Sequence, residues 1–425
     1  MSPRTLGVSA ALVLLLAACS SAPTPTAGRP ATTPREPPVS SSAAPAPQTP
    51  TPSALRPTPG PTVGATPTPG PRPSPSPSPA TGRNDQPSRE QLAGQRVIYS
   101  YKGPAPPESL YEDIRAGRAA GVIFFGENIP DTATLKAVVA RLREAQRQSP
   151  VQAPLLLMTD QEGGQIRRLP GEPVQSAREV GRSADPEAAA TRTGRAAGEN
   201  LSAVGLNVNL APVLDVYRTP GDFIDKTQRS YSSDPKAVAS LGSAFVTAQR
   251  QTGVAATAKH FPGLGSAPAG SNTDTGPVTL PVALSDLRAV DEAPYADAVA
   301  AGVDLVMLSW AVYPALDPGR PAGLSRTVVQ EELRERLGFQ GVTVTDALEA
   351  ESLNSFGTAG RRAVAAAAAG MDLLLCSARD TTQGEQATTA LADALTAGSL
   401  DAAEFSAANQ RVTALREALG RPSTG

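Results

Sequence analysis

The stretch "VAATAKHFPGLG", residues 254–265, decides how the rest of the chain is read. Its first five residues are small and show no alternation of apolar and polar positions. A run of that kind reads as a strand covered on both faces, as strands of parallel sheets are. At its C-terminal end stand Lys259 and His260, the only histidine among 425 residues. Pro262, Gly263 and Gly265 then mark a loop.

Seven further stretches resemble it. They are "RVIYSY" (96–101), "GVIFFG" (121–126), "PLLLMTD" (154–160), "LNVNLAPVLDV" (206–216), "VDLVMLSW" (303–310), "GVTVTDA" (341–347) and "MDLLLCS" (371–377). Amphipathic stretches separate them. "PEAAATRTGRAAGENLSAVG" (186–205) is rich in helix formers, and Asp234-Pro235 opens another helix. "SRTVVQEELRERLG" (325–338) has a serine cap and a glycine stop. Eight such strands alternating with helices predict a (β/α)₈ TIM-type barrel. A doubly wound open sheet is the alternative. Polar residues at the ends of several different strands favour the barrel: Asp160, Asp215, Lys259 with His260, and Asp346.

The first residues, "MSPRTLGVSAALVLLLAACSS", read as an export signal. Arg4 supplies the positive start, and Val8–Leu16 is too short an apolar run to span a bilayer. Leu16-Ala17-Ala18-Cys19 resembles a lipobox, so residues 1–18 are expected to be removed. Cys19 then carries the lipid that anchors the protein to the outer face of the membrane. Residues 19–88 are dominated by Pro, Ser and Thr, as in "TPTPGPRPSPSPSPATG". That composition predicts a disordered tether. Residues 89–421 are the expected folded domain, read as a monomer.

The remaining composition excludes several function classes. Net charge is −2 and no basic cluster occurs, which speaks against nucleic-acid binding. Cys19 and Cys376 are the only cysteines. With Cys19 acylated no internal disulfide forms, and Cys376 reads as a buried strand residue. One histidine and two cysteines give no expected metal centre, and no cofactor is implied.

The strand ends read as sugar chemistry. In "TDQEGGQIRRLPG", Asp160 is followed by Gly163 and Gly164, which allow a tight turn or a close approach to ligand, and then by Arg167 and Arg168. Carboxylate and guanidinium together suit a polyol. Arg229 lies in a loop beyond the fourth strand. Lys259 reads as pairing a carboxylate or donating to substrate hydroxyls, and His260 as a donor to substrate in preference to a general base or a metal ligand. Asp346 is flanked by apolar residues, a costly place for a carboxylate without a partner or a role. Glu349 reads as facing outward at the start of a helix. Paired carboxylates across a barrel mouth point to glycoside hydrolysis.

Together "DQEGGQIRRL", "LNVNLAPVLDV", "RSYSSDP", "KHFPGLG", "YPALDPGRPAGLS" and "LGFQGVTVTDALEA" resemble, in family order, the single-domain bacterial β-N-acetylglucosaminidases of glycoside hydrolase family 3. The resemblance implies a retaining hydrolase of N-acetylglucosamine-containing cell-wall fragments, with Asp346 as nucleophile. It implies that Asp160, Arg168, Arg229, Lys259 and His260 hold the sugar's hydroxyls. The family's acid/base is an Asp-His pair that follows a KHFPGHG motif on a mobile loop. Here Leu264, Gly270 and Asn272 stand at the histidine, aspartate and histidine positions, and Trp310 replaces a histidine common after the sixth strand. Asp274, on the same loop, is the nearest carboxylate left to serve as proton donor. A phosphate-dependent phosphorylase and a barrel that binds sugar without turnover are the alternatives.

Overall fold

The computed structural model describes residues 86–421. They lie within one compact unit, Ala80–Gly425. The signal segment, Cys19 and nearly all of the tether lie outside the described residues. At the near end of the tether, Ser88 caps the first helix, Arg89–Gly94, by accepting from the Gln91 amide.

Eight parallel strands form the core: β1 (Val97–Tyr99), β2 (Gly121–Ile123), β3 (Leu156–Thr159), β4 (Val208–Asn209), β5 (Ala255–Phe261), β6 (Leu305–Leu308), β7 (Val342–Thr345) and β8 (Leu374–Leu375). Neighbours in the sheet follow chain order, and β8 pairs with β1. A parallel bridge between Val344 and Leu373 joins β7 to β8 and closes the ring. All eight expected strands are present, and the barrel reading holds.

The strands lack alternation because both of their faces are covered. Ile98, Ile123, Leu156, Met158, Leu305, Met307 and Val344 fill the lumen. Val97, Val122, Leu157, Ala256, Val306 and Leu374 meet the surrounding helices. The helices begin as their sequences suggest. Asp185 and Asp234 cap the helices Pro186–Ala203 and Pro235–Arg250 with side-chain oxygens, and each has proline at its first position, where no amide partner is needed. "SRTVVQEELRERLG" does form a helix, Thr327–Arg336, but with π spacing: the Leu337 amide donates to the Glu332 carbonyl, five residues back.

The C-terminal helix, Ala402–Gly420, covers the base of the barrel. Val412, Leu415 and Leu419 pack on the lumen residues. Buried Arg416 donates to the carbonyls of Ala153 and Pro154, just before β3. Asp372, before β8, accepts from the Thr343 amide (2.8 Å), from Arg334 (2.6 Å) and from Arg411 (2.8 Å). It is fully buried, so one carboxylate ties strand, π-helix and C-terminal helix together at the closed end. The opposite end, where the strands finish, is open.

Candidate active site

A pocket of about 450 Å³ lies at the C-terminal ends of the strands. Asp160, Arg168, Arg229, Lys259, His260, Asp274 and Asp346 all line it. These seven residues, singled out from the sequence, are therefore brought to one cavity; Arg167 is not. Cys376 is buried and unpaired. Among the described residues no cluster of three or more His, Cys, Asp or Glu is arranged to hold a metal ion.

Strand β5 supplies two adjacent polar residues to the same pocket, which an ordinary strand does not do. Side chains of successive strand residues point to opposite faces. Here the pairing with β6 slips between Lys259, opposite Met307, and Phe261, opposite Leu308. His260 is the extra residue of a β-bulge, and a bulge re-aims side chains. The Lys259–His260 and Phe261–Pro262 peptides are cis.

A charged network forms the pocket floor. Lys259 Nζ lies 2.7 Å from Asp160 Oδ1 and 2.8 Å from Glu162 Oε1. Arg229 donates in bidentate fashion to Glu162, at 2.9 and 2.8 Å. Burial alone pushes the Glu162 carboxyl up, but Arg229 and Lys259 overcome it and hold it down at about 2. The same carboxylates keep the Lys259 ammonium charged despite its burial, raising it above the usual lysine value. Arg168 stands further off, 3.9 Å from Asp160 Oδ2. Glu162 was not foreseen from the sequence, although "DQEGG" displays it: it faces inward because Gln161–Gly163 pairs with Ile166–Arg167 in a hairpin. Arg167, paired with Asp160 and Arg168 in the polyol reading, instead donates to the Gly171 carbonyl outside the pocket. The glycines approach protein, not ligand. A Cβ on Gly163, at φ +104°, would sit 2.2 Å from the Gln175 carbonyl oxygen.

His260 is oriented from below. Its Nδ1 lies 2.7 Å from Oδ2 of fully buried Asp215, which also accepts from the Leu264 amide at 2.7 Å. A carboxylate only accepts, so Nδ1 is the donor. Nε2 faces the pocket, 3.4 Å from Arg229 Nη2.

Asp346 follows the last residue of β7. Its Oδ1 accepts from the Ala347 amide at 2.8 Å, and the Ala347 carbonyl accepts from Trp310 Nε1 at 2.8 Å. Trp310 thus braces the peptide beside Asp346. Glu349 does not face outward. Residues 348–349 form a turn, not a helix, and Glu349 lines the pocket, accepting from Ser377 Oγ (2.8 Å), the Ser377 amide (3.2 Å) and Gln383 Nε2 (3.3 Å).

Asp274 is on the loop after β5, with its amide donating to Asn272 Oδ1 at 3.0 Å. The loop is bonded to its neighbour: the Glu351 amide donates to the Asp274 carbonyl (3.0 Å) and the Ser352 amide to the Thr273 carbonyl (3.2 Å). Although the residue is exposed at the rim, its carboxyl is pushed up to about 6. Desolvation over the pocket is the main cause, then the charge of Asp346. Glu349 adds to it, and His260 and Arg229 oppose it. A carboxyl whose proton is retained toward neutral pH, in one pocket with a second carboxyl group, is the arrangement that acid-assisted displacement needs.

Residues 90–415 match the family profile described as Glycosyl hydrolase family 3 N terminal domain. The chain belongs to glycoside hydrolase family 3. An uncharacterized secreted glycosyl hydrolase of Arthroderma benhamiae is 48% identical over 329 residues, covering 77% of this chain and 93% of that protein. Beta-hexosaminidase A of Pseudoalteromonas piscicida is 32% identical over 80% of this chain, which spans only 59% of that longer protein. The crystal structure of the beta-N-acetylhexosaminidase from Beutenbergia cavernae superposes with a TM-score of 0.72 at 33% identity, covering 79% of this chain and all of that one. The barrel is therefore that of a family 3 enzyme.

Proposed function

We propose that this family 3 protein is a retaining β-N-acetylhexosaminidase that removes terminal β-linked N-acetylglucosamine from peptidoglycan fragments. The hexosaminidases among its relatives support the sugar. One observation carries the mechanism: Asp346 and Asp274 share one pocket, and the charge of the first helps keep a proton on the second. In this reading Asp346 attacks the anomeric carbon as the glycosidic C–O bond breaks, and Asp274 gives its proton to the departing oxygen. Water then displaces Asp346, and Asp274 takes a proton from that water. Asp160, Arg168, Arg229, Lys259 and His260 hold the hydroxyls of the sugar. The catalytic unit is residues 89–421, acting as a monomer. Export through residues 1–18, a lipid on Cys19 and the 19–88 tether would hold it outside the membrane, and the secreted relative supports export.

A second reading, a barrel that binds sugar without turnover, draws on Gly270 and Asn272, which stand where the family's acid/base pair is expected. Kinetics on an aryl N-acetyl-β-glucosaminide separate the two. Wild type turns it over, and Asp346→Asn lowers kcat by at least about 10⁴-fold, as loss of a nucleophile does in other hydrolases. Absence of turnover by pure wild type, with N-acetylglucosamine still bound, establishes the second reading instead. Azide accelerates Asp274→Ala if Asp274 is the acid/base.

A further inference from the structure

The loop that carries Asp274 is tied down unevenly. Its first part lies against the loop after β4. The Arg218 and Phe223 amides donate to the carbonyls of Gly265 (3.2 Å) and Ala267 (3.0 Å), and Lys226 Nζ donates to that of Ala269. Its far end is held where the Val312 amide donates to the Val278 carbonyl at 2.9 Å. Between these anchors, among the described residues, 270–277 make only two hydrogen bonds outside their own loop. They are the bonds to the Asp274 and Thr273 carbonyls from the amides of Glu351 (3.0 Å) and Ser352 (3.2 Å). A Cβ on Gly270 or Gly276 would meet nothing within 4 Å, so packing does not hold the loop at those points. The edge offered by the β7 loop therefore sets where the Asp274 peptide lies.

That edge is shaped from below by one side chain. Arg362 is on the helix Ala359–Ala369 and is buried. Its Nη1 donates to the carbonyls of Leu348 (2.9 Å) and Ala350 (3.4 Å), its Nη2 to Asn354 Oδ1 (3.0 Å) and its Nε to the Gly357 carbonyl (2.9 Å). All four acceptors are uncharged, and all belong to the segment 348–357 that contains Glu351 and Ser352. A buried cation without a carboxylate partner is an expensive way to stabilise a turn. Only a planar fork with five donors reaches four such points at once.

We propose that Arg362 is a positioning residue for proton transfer: it holds 348–357 as the edge on which the Asp274 peptide docks. This rests on the hydrolase reading with Asp274 as the acid. Arg362 touches neither Asp274 nor Asp346. It acts through the Glu351 and Ser352 amides, so its loss should weaken the proton donor and spare the nucleophile.

The test compares a dinitrophenyl with a phenyl N-acetyl-β-glucosaminide, because the first leaves unaided and the second needs the proton. The variants are Arg362→Ala, Arg362→Lys, Glu351→Pro and, as the reference, Asp274→Ala. Glu351→Pro removes one docking amide at an exposed site. Glu351 opens the 3₁₀ turn Glu351–Phe356, where proline is tolerated, and Ala350 before it is already extended at φ −47°, ψ 133°. It carries the test alone should Arg362→Ala fail to fold. Arg362→Ala and Glu351→Pro should each lower kcat/KM on the phenyl glycoside by about 10²-fold, the effect of a misplaced catalytic group. On the dinitrophenyl glycoside the fall should stay within about threefold. Arg362→Lys should be intermediate. Glu351→Pro combined with Arg362→Lys should be no worse than Glu351→Pro alone, since both break one link. Burial over the pocket is what raises the Asp274 carboxyl, so undocking should also move the falling limb of the phenyl profile to lower pH. An equal fall on both glycosides, or an unchanged ratio and limb beside a lower urea midpoint, makes Arg362 purely structural and overturns the proposal. An Asp274→Ala variant that keeps the wild-type ratio overturns it too. If wild type hydrolyses neither glycoside, the hydrolase reading itself fails and this inference falls with it.

Discussion

One proton on Asp274 links the geometry to a pH profile. Its carboxyl is held at about 6, so it is a donor below that value and a bare carboxylate above it. For an N-acetylglucosamine disaccharide, whose leaving oxygen needs the proton, kcat/KM should fall about tenfold per unit as pH rises beyond 6. For an aryl glycoside with a good leaving group the limb should be shallow. Asp274→Asn should abolish the limb and cost about 10²–10⁴-fold on the disaccharide. Measuring both profiles checks this, and an unchanged limb in the variant removes Asp274 from the acid role. Single residues differed in how readable they were. Asp160, Lys259 and Asp346 were legible because each ends an apolar run. Glu162 and Glu349 were not, because the groups that hold them, Arg229 and Lys259 for the first and Ser377 and Gln383 for the second, lie elsewhere in the chain.

At the level of elements, the eight strands were legible because burial on both faces leaves an unbroken apolar run. The bulge at His260 was not, since one extra residue leaves no mark on composition; only the pairing with β6 reveals it. The π spacing of Thr327–Arg336 was likewise hidden behind ordinary helix formers. The brace between β6 and β7 depends on close packing. A Cβ on Gly323 would lie 2.6 Å from the Trp310 ring, so Gly323→Ala must push that ring aside. The expected cost is about 1–3 kcal/mol by urea unfolding. A lower kcat should accompany it, because Trp310 holds the carbonyl next to Asp346. An unaltered kcat would show that the brace is purely structural.

Across the whole molecule, stability and chemistry occupy opposite ends of the barrel. Asp372→Ala at the closed end strands Arg334 and Arg411, and breaking a buried pair of this kind costs roughly 3–5 kcal/mol. Denaturant midpoints should drop accordingly, while the folded fraction keeps its KM, since no pocket residue touches Asp372. The open end behaves otherwise. The backbone bonds from Glu351 and Ser352 to Asp274 and Thr273 join the loop of β5 to the loop of β7. For anyone grafting loops between family members, these two segments are a single cassette. An imported β5 loop would have to present its own carbonyls to the Glu351 and Ser352 amides, so recombination breakpoints belong outside both loops, never between them.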